Sequence, residues 1–291
     1  MMQQLKCLFG FVVIFATAIF LSAPSFAQAT APKPVRAPCG AGFVHNQQFQ
    51  PSINPLLHKA SFQLADVQAG ALRLSFIGHA SFLIESPQGV KVITDYNDYY
   101  RAKVMPDIAT MNIDRGNHST SLIEPGIKFA LRGWDIGHGI PRHDIAYKDV
   151  RVYNLPTNLQ DFGSSFSNFS SMFIVQSGGI CVGHMGHLRH ILDTKAFAKI
   201  GRIDVLLVPI DRRVTQSIEE LIHNIKGIRP RMIVPMHFNA MFTAEEFLAQ
   251  ISGIFPVKRT TQSSIILSRA TLPRKTEVLL MQPRTSFGEQ Y

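Results

Sequence analysis

Two apolar segments end alike: Val208-Pro209-Ile210-Asp211 and Ile233-Val234-Pro235-Met236-His237 each run through a proline to a residue that can bind a metal. The runs that carry them, Asp204–Pro209 and Met232–Pro235, are too short for helices. They also lack polar alternation, as expected of strands covered on both faces. Ser217–Gly227 between them has the spacing of a helix. Consecutive parallel strands of this kind deliver Asp211 and His237 at their carboxyl ends, and so into one crevice, where open α/β sheets place ligands.

The rest of the chain extends the pattern. From Leu72 onward come short β-rich runs at Leu72–Ile77, Ser81–Ser86, Val90–Thr94, Asp107–Asn112, Ile127–Leu131 and Val150–Leu155. Ser171–Gln176 and Gly179–Gly183 read as a hairpin turning at Gln176-Ser177-Gly178-Gly179. Helices are predicted over Arg189–Ile200 and Thr243–Ile251, the latter with Thr243 as N-cap and Glu245 and Glu246 in its first turn. A last strand falls near Glu277–Met281. Strands first, then strands alternating with helices, predict an α+β chain of two sheets with helices outside.

The amino terminus reads as a leader. Lys6 precedes an apolar run from Leu8 to Leu21, and Ser25-Phe26-Ala27 supplies small residues for cleavage. The run is shorter than the roughly 20 residues that span a bilayer, so residues 1–27 are expected to be removed, with no stable transmembrane anchor. The product would be periplasmic or secreted. Residues 28–60 are expected to form an extended arm, Pro-rich at its start, and residues 61–291 the folded domain. Lys6 is the only charged residue of the leader, so the formal charge of +9 becomes +8 after cleavage. Lysines and arginines are scattered rather than striped, which argues against nucleic-acid binding. A basic surface suits an anionic or lipid-like small substrate. Cys39 and Cys181 remain after cleavage. Pairing would tie the arm to a core strand, and the sequence leaves that question open, as it does the oligomeric state.

Histidine carries the chemistry. Of eleven, His184 and His187 follow the apolar run Gly179-Ile180-Cys181-Val182 in Gly183-His184-Met185-Gly186-His187, where a tight turn would let two imidazoles converge on one ion. His118 lies in the polar loop Thr110–Thr120, where Asp114 and Asn117 can reach the ion or its water. His79, in Gly78-His79-Ala80-Ser81-Phe82, is either a site residue or a turn histidine. Ile93-Thr94-Asp95 ends another strand.

In their order, Gly78-His79-Ala80-Ser81-Phe82, Thr94-Asp95, Asn117-His118, Gly183-His184-Met185-Gly186-His187, Val208-Pro209-Ile210-Asp211 and Pro235-Met236-His237 resemble the metallo-β-lactamase superfamily. The similarity is greatest to its L-ascorbate phosphate lactonase-like and N-acyl phosphatidylethanolamine phospholipase D-like hydrolases, and it covers about residues 72–240. The resemblance implies a four-layer αββα sandwich with one or two zinc ions between the sheets and a metal-bound hydroxide as nucleophile.

The chain departs from that pattern where the family reads His-x-His-x-Asp-His. Ile113 and Arg115 replace the first two histidines, Asn117 replaces the aspartate, and only His118 remains. No histidine stands near Asn158–Asp161, and His187 takes the place of the turn aspartate.

What is left, His118, His184, His187 and His237 with Asp211, predicts one metal rather than two: zinc, with iron or manganese as substitutes. Asp211 or Asp114 would orient the bound water, and Arg115 would hold a phosphate or carboxylate of the substrate. The expected activity is hydrolysis of an ester, lactone, amide or phosphodiester. The alternative is a catalytically degenerate relative that binds a partner in the cell envelope.

Overall fold

A computed structural model describes residues 39–40, 67–161, 164–211 and 215–284. The expected leader, residues 1–27, and nearly all of the arm lie outside the described residues.

The first half is a sheet. Its strands are β1 (Ala71–Gly78), β2 (Ser81–Glu85), β3 (Lys91–Ile93), β4 (Ile108–Met111) and β5 (Phe129–Arg132). The second sheet begins with β6 (Asp144–Tyr147), β7 (Val150–Asp161), β8 (Ser164–Ser177) and β9 (Ile180–His184). It continues through α1 (Thr194–Ile200), β10 (Val205–Pro209), α2 (Ile218–Ile228), β11 (Met232–Met236) and α3 (Met241–Ile251). The chain closes with β12 (Val257–Arg259), β13 (Ser264–Ser268) and β14 (Glu277–Leu280). The six-stranded sheet has the order β13-β1-β2-β3-β4-β5, and the eight-stranded one β12-β14-β11-β10-β9-β8-β7-β6. Both are mixed.

Alternation along the strands explains the layering. Leu72, Leu74 and Phe76 of β1, with Phe82 and Ile84 of β2, Val92 of β3 and Ile108 of β4, join Val152, Phe173, Val182 and Leu206 of the second sheet in one core. Residues of opposite parity face outward: Ile77 and Leu83 pack with Tyr100, and Ile93, Ala109 and Met111 pack with Tyr96, Ile127 and Trp134. Each large apolar side chain so buried contributes roughly 1.5–3 kcal/mol. Among the described residues, connecting segments, not a helix, supply the aromatic cover of that outer face.

The helices serve the other sheet. β9, β10 and β11 are mutually parallel, as α1 and α2 allow, so the predicted delivery of Asp211 and His237 to one edge is the observed topology. α2 begins at Ser217, whose side chain accepts from the Glu220 N–H while the Glu220 carboxylate accepts from the Ser217 N–H, a complete capping box.

Several local expectations are corrected. The helix predicted from Arg189 starts only at Thr194, because Asn224 of α2 accepts from Leu192 N–H and donates to the His190 carbonyl, holding that stretch extended. Asp193 then caps α1 through the Ala196 N–H at 2.7 Å. Thr243 is not an N-cap: α3 starts two residues earlier, after Ala240, with no side-chain cap. Strands β6, β12 and β13, which pair with stronger neighbours, were not anticipated.

Cys39 and Cys181 form a disulfide with their Cα atoms 5.8 Å apart, closing a sequence separation of 142. Gly40 continues the anchor. Its N–H donates to the Tyr153 hydroxyl at 2.8 Å, and that hydroxyl donates to the Ile200 carbonyl at 2.7 Å. The predicted hairpin turn is present, with Gly178 at φ 55° and Gly179 at φ 74°, both values that glycine adopts without steric cost. No helix among the described residues is long and apolar enough to cross a membrane.

Candidate metal centre

Strand ends from both sheets meet at one place. His118 follows β4, His187 follows β9 and His237 follows β11. All three are buried, and their Nε2 atoms form a near-equilateral triangle: 3.0 Å from His118 to His187, 3.0 Å from His118 to His237, and 3.1 Å from His187 to His237. Nitrogen ligands about 2.05 Å from a tetrahedral zinc stand roughly 3.3 Å apart, so the donors fit one small divalent ion. His79, His118 and His237 also group, their ligand atoms lying within 4.8 Å of one another. The His118–His187–His237 set, with every edge at 3.0–3.1 Å, is the one whose separations match a single ion.

A carboxylate fixes one of the rings, and a second carboxylate stands close to another. Asp95 Oδ2 lies 2.6 Å from His118 Nδ1, in a contact whose side chains are both 1% exposed. With Nδ1–H donating to the carboxylate, Nε2 keeps its lone pair for the centre of the triangle. Asp211 Oδ2 stands 3.0 Å from His237 Nδ1, too oblique for an ideal hydrogen bond. Asp211 is braced by Thr215, whose hydroxyl donates to Oδ1 at 2.5 Å. His187 Nδ1 is buried with no hydrogen-bond partner among the described residues.

Burial and neighbouring charges hold His118, His187 and the adjacent His79 below the usual imidazole range. Burial depresses the pKa of His118, against the raising influence of Asp95. That of His187 is pushed well below the usual range by burial, by His118 and His237, and then by Arg189 and Arg115. His79 is pulled down to about 2 by burial and by the same two histidine neighbours. Burial tends to raise Asp211, but His237, Thr215 and Arg189 outweigh it and leave its pKa lowered. Neutral imidazoles beside carboxylates are ligands ready for a cation near neutral pH.

The backbone is unusual at the same place. His79 (φ 50°), Asp95 (φ 47°) and His237 (φ 64°) all occupy the left-handed region, which non-glycine residues enter at a cost. The His237 N–H donates to the His79 carbonyl at 2.6 Å, clasping the two sheets together beside the triangle. Gly186, at φ 58°, makes the turn that brings His187 round. A Cβ there would lie 2.7 Å from the Asn112 side chain.

The remaining predicted residues fall around this centre. His184 is buried, but its Nε2 lies 2.8 Å from the Ala80 carbonyl and its Nδ1 accepts from the Gly186 N–H at 3.1 Å, so both nitrogens are engaged away from the triangle. Asp114 is exposed, and its carboxylate meets the Ser119 hydroxyl at 3.5 Å. Arg115 is exposed on the His118 loop. The Asn117 amide nitrogen lies 2.5 Å from His79 Nε2. Ile113 is buried and pairs with Ser170.

Asp95 was given no role from sequence. Its signal was the strand-then-aspartate pattern that also marks Asp211. Asp95→Asn is expected to weaken metal affinity about 10–100-fold, the usual effect of losing a carboxylate behind a ligand histidine, measured by competition with a chromogenic chelator. A change below twofold would restrict Asp95 to bracing the loop.

Comparison with known proteins agrees with this geometry. The β-lactamase superfamily domain matches residues 73–237, more than half of the chain. A UPF0173 metal-dependent hydrolase of Methanosarcina mazei is 24% identical over 193 residues, covering 58% of this chain and 84% of the relative. One from Pyrococcus horikoshii is 26% identical over 197 residues, covering 58% and 85%. Among solved structures, a Thermotoga maritima protein described as a Zn-dependent hydrolase of the metallo-β-lactamase superfamily aligns with a TM-score of 0.55 at 23% identity, over 73% of this chain and all of that one. A metallo hydrolase from Ignicoccus hospitalis aligns at 0.50 with 18% identity, over 73% and 96%. With two mixed sheets, a domain match over residues 73–237 and strand-end histidines in the family's order, the chain belongs to the metallo-β-lactamase superfamily.

Proposed function

We propose that this protein is a metal-dependent hydrolase acting through a single ion held by His118, His187 and His237. The observation that carries the reading is the Nε2 triangle with edges of 3.0–3.1 Å. Three nitrogens leave a fourth position open, as catalytic zinc sites require. An ion there would supply Lewis acidity and lower the pKa of a water toward 7. The chain's own residues then do the positioning. Asp95 orients the His118 ring, and Asp211, its carboxylate kept ionised beside His237, is the group best placed to accept a proton near the site.

The bonds that suit such a centre are esters, lactones, amides and phosphodiesters. The substrate would be small or lipid-like. Zinc fits the all-nitrogen donor set, and iron or manganese are the substitutes to test. The Cys39–Cys181 disulfide supports an exported product, since such bonds persist in oxidising compartments.

A second reading, a binding module without turnover, is favoured by Ile113 and Arg115 at positions where the family carries histidines. Elemental analysis of protein purified without chelator, with a broad hydrolase screen, separates the two. About one equivalent of metal with turnover that chelator abolishes is expected. Protein with no zinc, iron or manganese, and none taken up on titration, would favour the binding module.

A further inference from the structure

We propose that Asn117 keeps the metal centre open for substrate by withholding a fourth imidazole, His79, from the ion. The inference rests on the single-ion reading of the site and makes Asn117 and His79 positioning residues of it.

His79 stands beside the triangle rather than at a distance from it. It is buried, its ring centroid lies 4.2 Å from that of His237 and 5.1 Å from that of His118, and Tyr100 packs against it in a T-shaped contact at 5.6 Å. One ligand atom from each of His79, His118 and His237 falls within 4.8 Å of the others. Nitrogens on a tetrahedral zinc stand about 3.3 Å apart, so a shift on the order of 1.5 Å would bring His79 into the coordination shell. An ion held by all four imidazoles would be closed, as structural zinc sites are, whereas catalytic sites keep one position for water or substrate.

A single hydrogen bond separates the two arrangements. The Asn117 side-chain N–H donates to His79 Nε2 at 2.5 Å. A neutral imidazole has one nitrogen that accepts or ligates and one that carries the hydrogen. With Nε2 committed to Asn117, the hydrogen sits on Nδ1, which is buried with no hydrogen-bond partner among the described residues. Neither nitrogen is then free for a cation. The backbone meanwhile keeps His79 beside the centre, because its carbonyl accepts from the His237 N–H at 2.6 Å. Asn117 is half-buried and immediately precedes the ligand His118, so the loop that delivers the ligand also delivers the amide. The resemblance expects an aspartate at this position. An ionised carboxylate only accepts, and could not donate to His79 Nε2.

The test titrates azide into cobalt-loaded, full-length protein and follows the visible spectrum, with zinc affinity measured in parallel by chelator competition. In the wild type azide should bind saturably at the open position. Asn117→Ala should release His79 to the ion, weakening azide at least about 10-fold and tightening zinc by about 10-fold or more, the range over which partners of metal ligands act. Asn117→Leu, similar in size but without the donor, should behave as the alanine variant does. In a His79→Asn background, chosen because asparagine enters the left-handed backbone region of His79 readily, Asn117→Ala should change neither quantity.

Unchanged azide and zinc affinities in both Asn117 variants would overturn the proposal, as would weaker zinc binding in them. Equal changes in the His79→Asn background would also overturn it, since Asn117 would then act through its loop and not through His79. A wild type that takes up no cobalt would overturn it together with the hydrolase reading. Cobalt and azide bound as expected by a protein that turns over nothing in the hydrolase screen would sink the hydrolase reading alone.

Discussion

Replacing His187 with alanine is expected to abolish the tightly held metal, taking a wild-type content of about one equivalent to near zero. Two imidazoles, His118 and His237, would remain at 3.0 Å, fewer than the three protein ligands of a catalytic zinc. Affinity should fall by at least about 100-fold, and any hydrolase activity with it. A histidine at this position also limits the stoichiometry. A carboxylate can bridge two cations through its two oxygens, whereas a neutral imidazole has one lone pair to give and so binds a single ion. Ile113 and Arg115 add no imidazole for a second ion. The rival role for His187, bracing the turn before α1, predicts a stability loss on the order of 1 kcal/mol with metal content unchanged. Inductively coupled plasma analysis of both proteins decides the matter. Two equivalents in the wild type, or one retained in His187→Ala, would contradict the assignment.

Loss of the Cys39–Cys181 bond is expected to have the largest effect on stability. The bond closes a separation of 142 residues. Loop-closure entropy for so long a loop is worth up to about 5 kcal/mol, with about 2–4 kcal/mol typical of measured disulfides. For a domain of this size the melting temperature should fall by on the order of 10 °C. Cys39→Ser is the cleaner variant, because Cys181 is fully buried in the core and its replacement would add a packing defect. Thermal melts of Cys39→Ser and of wild type with reductant should agree with one another and lie below that of wild type without reductant. Metal content should not change, since the His184 and Met185 end of β9 is held independently, by His184 on the Ala80 carbonyl and by the Met185 N–H on the Leu207 carbonyl. A shift under about 2 °C would show that Gly40 and the packing around it anchor the segment without the bond.

These expectations divide between what one-dimensional pattern can carry and what it cannot. Parallel strands β10 and β11 were legible because burial on both faces leaves an unbroken apolar run, and a proline before Asp211 or His237 marks where the run must end. The turn at Gly178-Gly179 was legible because only glycine adopts two successive positive φ values cheaply. His118, His187 and His237 could be singled out because each follows a strand.

Other features depend on contacts between distant segments. The late start of α1 depends on Asn224, more than thirty residues away. β12 and β13 gain their identity from β14 and β1, not from their own short sequences. Whether Cys39 reaches Cys181 is a matter of two Cα atoms arriving 5.8 Å apart.

The choice among four histidines was likewise tertiary. His184 and His187 are three residues apart and chemically alike, yet the Ala80 carbonyl and the Gly186 N–H take up both nitrogens of the first, while Gly186 turns the second into the triangle. Local sequence determined which residue types stand at the strand ends. Which of their nitrogens point at one another was decided by the packing of two sheets, because the direction of a ring depends on the hydrogen bond its far side finds.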